Sequence, residues 1–524
     1  MYCLLNPVGT QRKLMYENRI PCIIAIMKPP KKLPKFLKTE YEPPPEKRPE
    51  PPPKKIYETI PKLIRHNYDL GADETAMSQK KSRIWKKYTW RKYYETVRQL
   101  SLGLISLGLK RGDVVCLCGD NAPEWFWGEF AVQIAGGIPT GIPVDAAPAE
   151  MKKIITQSNA KFAVVSGHKQ VVQLLENKAD LPSLQKIIYW DPKGLKGDSD
   201  PLLISFDDVL TLGDESSKVN PKLFEQSLDS VTADDIAFIY YDSGTKGQPR
   251  SVKLSHKALL TGGRGFLERF PIQPEDNLIL NLPAGSASGS FFAAIPHLLT
   301  GATLNFPEKP ETIALDTRRA RPNFIFYPHQ QWEKLASDIQ TKLKEANSLQ
   351  RFYYNSFLPT GYKMADDRLQ NKKPNVFRRL FNIPANVLLF RPLKDKLGLR
   401  KVRFAATDGP GLSRDAFRLL HAIGVSLRQT CFMAETGVIA CQGENEIDFE
   451  TVGRPILDTE VRIANNDELL VRSDTLFRGY DHNPTETGEV LVDGWFHTGD
   501  TARITEKGHL AILNRKEEAK VARA

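Results

Sequence analysis

No stretch of the chain approaches the ~20 consecutive apolar residues needed to cross a bilayer as a helix. The longest early apolar run, 20–27, is short, contains Pro21 and precedes no small-residue cleavage pattern, so a secretory leader is not expected. Cysteine is scarce, with six in 524 residues, which excludes a disulfide scaffold and fits a reducing, cytoplasmic compartment. Cys116 and Cys118 alternate within Val114-Val115-Cys116-Leu117-Cys118, the spacing of a strand and not of a zinc knuckle. Internal repeats are missing too, so a solenoid or propeller is not expected.

What is present is an ordinary globular composition, 41% hydrophobic and 26% charged, which sets aside collagenous and fully disordered classes. At roughly 150 residues per domain the length suggests about three packed units. The 73 basic and 62 acidic side chains give +11, but the balance is uneven. Residues 1–55 hold 12 basic and 5 acidic side chains, a net of +7, leaving +4 for the other 469. A nucleic-acid partner therefore loses its electrostatic footprint, while weak peripheral attraction to acidic membranes stays open. Ten prolines fall within 29–53, so 1–53 is predicted to be a Pro-rich, basic, disordered tail.

Beyond the tail, strand and helix patterns alternate. Strands are expected at 114–118, 161–165, 186–190, 236–241, 278–282, 323–327 and 402–406, and helices at 122–135, 170–175, 255–269 and 413–423. This is the rhythm of an α/β fold with mainly parallel, helix-covered sheets. Residues 342–400 interrupt it with Lys/Arg-rich helical sequence. From 451 to 513 short β segments take over, marking a small β-rich subdomain after a two-part core at 54–450.

One stretch carries chemistry on its face: Tyr240-Tyr241-Asp242-Ser243-Gly244-Thr245-Lys246-Gly247-Gln248-Pro249-Arg250. A β run ends in a loop of glycines, hydroxyls and cations, and a helix is expected from about Ser255. Glycine lets the backbone approach closely, and amides, hydroxyls and cations together suit a polyphosphate. It is not a Walker loop, since no Gly-Lys-Ser/Thr follows at the required spacing. Alone, such a loop is more often only a turn. Gly285-Ser286-Ala287-Ser288-Gly289 is no nucleophile elbow, because Ala287 occupies the nucleophile position. His256 and His497 have no evident partner and read as packing or loop residues.

The loop resembles the phosphate-binding signature of the adenylate-forming superfamily (acyl-CoA synthetases, luciferases, peptide-synthetase adenylation domains), Tyr-Thr-Ser-Gly-Thr-Thr-Gly-x-Pro-Lys-Gly. Further family signatures follow in order: Asp408-Gly409-Pro410-Gly411-Leu412; Glu435-Thr436; Gly479-Tyr480 with Pro484 and Thr487; Asp493-Gly494-Trp495-Phe496-His497-Thr498-Gly499-Asp500; and Leu513-Asn514-Arg515-Lys516. Tyr88-Thr89-Trp90, Leu107-Gly108-Leu109 and Gly119-Asp120-Asn121-Ala122-Pro123-Glu124-Trp125 look most like the long-chain acyl-CoA synthetases. The likeness covers about 56–524. It implies an adenylate-forming α/β fold, with a large domain of helix-covered parallel sheets plus the β-rich subdomain.

The resemblance also implies roles. Ser243, Gly244, Thr245, Gly247 and Arg250 would surround the ATP phosphates, and Asp408, Gly409 and Pro410 the adenine. Asp500 would hold the ribose hydroxyls, with Arg515 opposite. Thr245 and Glu435 would bind Mg²⁺, and Thr245, Arg250 and Glu435 would serve catalysis. The substrates would be a fatty acid, ATP and CoA, with attack of the carboxylate on the α-phosphate and then thioester formation. The family continues about another hundred residues in a C-terminal domain with the adenylation Lys, so 514–524 reads as its hinge and stub.

Several signature positions differ: Asp242, Lys246 and Ser251 around the loop, Asn514 at the hinge, and Cys431, Phe432 and Ala434 where the family has Tyr, Gly and Thr. One lost preorganised donor typically costs ~10²–10³ in rate. Two other classes therefore stay open: a non-catalytic homologue that binds nucleotide or acyl ligand, and a ligase that loads a carrier protein.

Overall fold

In the computed structural model, residues 57–195, 200–242, 250–345, 347–370, 372, 376–409 and 411–514 are described. The apolar runs that alternate with helical periodicity become a seven-stranded sheet. Its order is Leu203–Ser205, Lys186–Tyr189, Phe162–Val165, Val114–Cys118, Ile138–Ile142, Ile236–Asp242 and Arg250–Ser255. All neighbours are parallel except the last pair, which is antiparallel. Val114–Cys118 and Phe162–Val165 are buried along their whole length, as parallel strands covered on both faces must be.

A five-stranded sheet runs Phe324–Phe326, Phe404–Asp408, Leu427–Met433, Gly437–Cys441 and Arg454–Pro455. Its first three strands are parallel and the rest antiparallel. A four-stranded sheet (Asn277–Ile279, Thr303–Phe306, Thr75–Lys81, Ile84–Thr89) also mixes the two senses. The β-rich part is antiparallel throughout: Thr459–Ile463, Glu468–Ser473, Trp495–Ile504 and Leu491–Val492, with Leu510–Asn514 added on Trp495–Ile504. Within 342–400 the described residues are mainly helical, as expected, in Ser348–Leu369 and from Val376 to Lys396. Among the described residues no helix is long and apolar enough to cross a membrane.

The Tyr88-Thr89-Trp90 signature has a structural meaning. The Thr89 hydroxyl accepts the Lys92 N–H at 3.2 Å and caps helix Trp90–Ser106, which satisfies one of its orphan donors. Trp90 stacks on Tyr93 and His297 at ring distances of 5.3 and 4.9 Å. That helix crosses Phe206–Val219 closely, because each supplies a glycine. A Cβ on Gly213 would lie 1.8 Å from the Gln99 carbonyl oxygen, and one on Gly103 would lie 2.1 Å from that of Val209. The four described cysteines form no disulfide and are buried, and burial pushes Cys116, Cys118 and Cys441 up to about 12.

Burial also sets a pH dependence. His256, His297 and His421 are depressed by desolvation to about 3, 4 and 3, so the unfolded chain takes up protons near pH 6.5 that the folded chain refuses. Their contribution to stability falls as pH drops below 6.5. Glu129, on helix Pro123–Ile134, is 3% exposed and desolvation raises it to about 8. It has the opposite sign, since the folded chain keeps a proton that the unfolded chain releases above about 4.5.

Two predictions follow from this packing. Gly213→Ala should lower stability by about 1–3 kcal/mol, read as a shifted urea midpoint. An unmoved midpoint would contradict the close helix crossing. Between pH 6.5 and 8 the Glu129 term should remove on the order of 2 kcal/mol. Glu129→Gln should flatten denaturation curves across that window, and a slope matching wild type would rule out a protonated buried Glu129.

Candidate active site

The phosphate-loop sequence is flanked by two strands that pair with each other. Ile236–Asp242 leads in and Arg250–Ser255 returns antiparallel, with Asp242 paired to Arg250. Ser243, Gly244, Thr245 and Gly247 lie outside the described residues. The helix expected from about Ser255 is His256–Arg269, and the strand Arg250–Ser255 before it was not anticipated. Val252 and Leu254 are fully buried on either side of the half-buried Lys253, an alternation that fits a strand. Helix His256–Arg269 is capped by its own Ser255, which accepts the Ala258 N–H at 3.2 Å.

The outer edge of Arg250–Ser255 is sealed by the Gly-Tyr signature. Arg478 N–H donates to the Lys253 carbonyl at 2.7 Å, Lys253 N–H to Gly479 at 3.2 Å, and Asp481 N–H to Ser251 at 2.8 Å. Gly479 needs to be glycine: its φ is +98°, and a Cβ would meet the Thr487 side chain at 2.8 Å. That threonine accepts the Tyr480 N–H at 2.9 Å, so Gly479, Tyr480 and Thr487 form one unit.

Tyr480 joins two predicted site residues. Its ring lies 5.4 Å from the Arg250 guanidinium, and its hydroxyl donates to Glu435 Oε1 at 2.8 Å. Burial first, and then the Glu435 charge, raise the Tyr480 hydroxyl well above the ordinary tyrosine value, so it stays a donor. Arg250 Nε also lies 2.8 Å from Glu486 Oε1. Asn483 holds the other carboxylate oxygen, Oε2, at 2.7 Å, and its own Oδ1 accepts the Glu486 N–H at 3.1 Å. Asn483-Pro484-Thr485-Glu486 is a capping-box pattern, a signal in the sequence that could have exposed Glu486 as a partner for Arg250. Tyr480 carried no such signal beyond its place in the motif.

Asp408 and Gly409 end strand Phe404–Asp408 beside Thr430, whose carbonyl accepts the Gly409 N–H at 2.8 Å. Asp408 Oδ1 accepts the His329 N–H at 2.7 Å and lies 3.4 Å from its Nδ1. A Cβ on Gly411 would meet the His329 ring at 2.7 Å. His329 escaped the sequence reading because no motif surrounds it. Pro410 is outside the described residues.

The neighbouring strand explains what the Tyr-Gly-x-Thr-Glu departures do. Cys431 is fully buried in an apolar cluster with Ile439, Leu469, Val471 and Ala502, so it faces core and offers no ring to a base. Phe432 packs against Phe291 and Phe292 at 5.5 and 5.2 Å. Glu435 is 6% exposed, and its carbonyl accepts the Phe477 N–H at 2.8 Å.

Asp500 lies on strand Trp495–Ile504 at 4% exposure, its N–H donating to the Thr498 hydroxyl at 3.1 Å. Asp493 and Gly494 form the two-residue turn before it, with φ of +51° and +77°, as a type I′ hairpin requires. Glu468 then clamps the motif, 3.2 Å from His497 Nδ1 and accepting the Gly499 N–H at 2.8 Å. His497 thus has a carboxylate neighbour, contrary to expectation. Arg515 and Lys516 are outside the described residues.

Among the described residues no cluster of three metal-ligating side chains occurs. Mg²⁺ does not require one, because it is commonly held by one or two carboxylates together with substrate phosphates. A hard-oxygen donor such as Glu435, beside the phosphate hairpin, fits that chemistry.

A family model described as AMP-binding enzyme matches residues 65–494. The chain belongs to the AMP-binding enzyme family. Similar curated family proteins include long-chain-fatty-acid–CoA ligase ACSBG1 of Rattus norvegicus, 24% identical over 88% of this chain and 64% of its own length. FadD15 of Mycobacterium bovis, also a long-chain-fatty-acid–CoA ligase, is 25% identical over 83% of this chain and 70% of its own. The chain thus spans about two thirds of the length of these relatives. Solved structures with this fold include the anthranilate CoA ligase AuaEII in complex with anthranoyl-AMP (TM-score 0.66, 17% identity, 88% of this chain and 77% of that one). A Mycobacterium tuberculosis fatty acyl CoA synthetase also shares it (TM-score 0.61, 18% identity, 87% and 78%). The expected α/β adenylate-forming fold with its small β-rich part is therefore the observed one.

If the Tyr480 hydroxyl holds Glu435, Tyr480→Phe should cost about 1–3 kcal/mol, measured by chemical denaturation. A double-mutant cycle with Glu435→Gln should return a coupling of about 0.5–3 kcal/mol, and a coupling of zero would refute the pairing.

Proposed function

We propose that the chain activates a long-chain fatty acid with ATP, forming an acyl-adenylate and pyrophosphate and then an acyl-CoA thioester. One observation carries this reading. Arg250 and Glu435 both contact Tyr480, so a cation and a buried carboxylate share one neighbour at the strand that follows the phosphate-loop sequence, which supports a polyphosphate-binding role. Family membership and the names of the relatives supply the substrate class.

In this reading Ser243, Gly244, Thr245, Gly247 and Arg250 surround the phosphates, and Asp408, Gly409 and Pro410 border the adenine. Asp500 and Arg515 hold the ribose. Thr245 and Glu435 would hold Mg²⁺, which when bound neutralises charge on the phosphates. Arg250 then stabilises charge that grows on the α-phosphate as the acyl carboxylate attacks, and Glu486 and the Tyr480 ring fix its guanidinium in place. The four described cysteines, buried and not in disulfides, suit a reducing, cytoplasmic location, and nucleic acid is not among the proposed partners.

A second reading is favoured by one observation. Cys431 is wholly buried, and Ala434 carries no donor where the family has one. A chain so altered could bind nucleotide or acyl ligand without turnover.

Fatty-acid-dependent pyrophosphate release separates the two. Release with ATP and Mg²⁺ supports the ligase, whereas ATP binding with no release supports the second reading. If release occurs, Arg250→Ala should slow it ~10²–10³-fold, and a variant matching wild type would remove Arg250 from the site. Offering a carrier protein in place of CoA identifies the thioester acceptor.

A further inference from the structure

We propose that the helical hairpin of Ser348–Leu369 and Val376–Ala385 is a peripheral docking surface for an anionic lipid bilayer. Helical backbone continues from Val376 through the π-helical turn Asn386–Phe390 to Lys396. Along it Val376, Leu380, Ile383 and Val387 follow each other at spacings of four, three and four, which places them on one face. Their exposures are 67%, 58%, 60% and 52%, and Leu388 beside them is 48% exposed. Ala385, Leu389 and Phe390 point inward instead and are nearly fully buried. A Cβ on Gly361 of the partner helix would come 2.8 Å from the Phe390 ring. Single exposed apolar residues are ordinary, but a continuous stripe marks a contact surface.

Charge identifies the occupant. Residues 342–400 hold 13 basic and 4 acidic side chains, a net of +9, while the rest of 56–524 nets −5. Two of the acids are already compensated. Asp366 is held by two Arg418 hydrogen bonds of 2.6 Å, and Asp395 lies 3.3 Å from Arg318 and 3.7 Å from Arg400. Lys363, Arg368, Lys372, Arg391 and Lys396 are exposed. An apolar stripe flanked by cations, on a helix not apolar enough to span a bilayer, is the pattern of a helix lying in the headgroup plane of an acidic membrane. This surface is independent of the catalytic reading, so vesicle binding can be tested without activity.

The test is co-sedimentation of the full chain with phosphatidylcholine–phosphatidylserine vesicles and with pure phosphatidylcholine. Binding should need the anionic lipid and weaken as salt rises. Leu380→Ser/Ile383→Ser/Val387→Ser should reduce it at least about tenfold, and Lys372→Glu/Arg391→Glu/Lys396→Glu should do the same. If circular dichroism shows that the serine variant has not folded, the charge-reversed variant decides alone. Equal binding by folded variants, binding that ignores lipid charge, or no binding at all would overturn the proposal. So would concentration-dependent self-association lost with the stripe but without vesicle binding, which would make it a protein interface.

Discussion

The arrangement of the candidate site depends on how the free edge of one strand is closed. Arg250–Ser255 ends the large sheet with unpaired backbone groups, and an uncovered edge invites pairing with another chain. Residues 478–481 take up those groups from a segment more than two hundred positions away. In doing so they deliver Tyr480 beneath Arg250 and against Glu435. Edge closure and site assembly are therefore one event. A chain that lost the Gly479 turn would lose the sheet edge and the Glu435 donor together.

Most of the fold was legible because its elements are strongly patterned. Continuously apolar runs such as Val114–Cys118 gave parallel strands, and helices such as His256–Arg269 announced themselves by periodicity and a serine cap. Arg250–Ser255 was missed because it follows a glycine- and proline-rich loop, and only Val252 and Leu254 mark its alternation. Partners distant in sequence were equally hidden. Nothing in the chain near Asp408 points to His329, and the Tyr480–Glu435 bond spans 45 positions.

The signature departures separate into two kinds. Cys431 and Phe432 are absorbed into packing: one joins the cluster shared with the β-rich sheet and the other an aromatic cluster. They exchange ligand-facing chemistry for core volume. Arg250, where the signature has lysine, keeps the positive charge and gains a planar guanidinium that can engage Glu486 while lying over the Tyr480 ring, a combination an ammonium serves less well.

The buried cysteines have a practical consequence. A thiol reacts as its thiolate, and Cys116, Cys118 and Cys441 are both enclosed and held protonated by their surroundings. Cys116 and Cys118 sit on a central strand of the seven-stranded sheet, and Cys441 on the five-stranded one. Modification of either group by a thiol reagent must wait for its own sheet to open. Labelling followed over time is thus an intrinsic clock for two separate parts of the core, already written into the chain and needing no introduced probe.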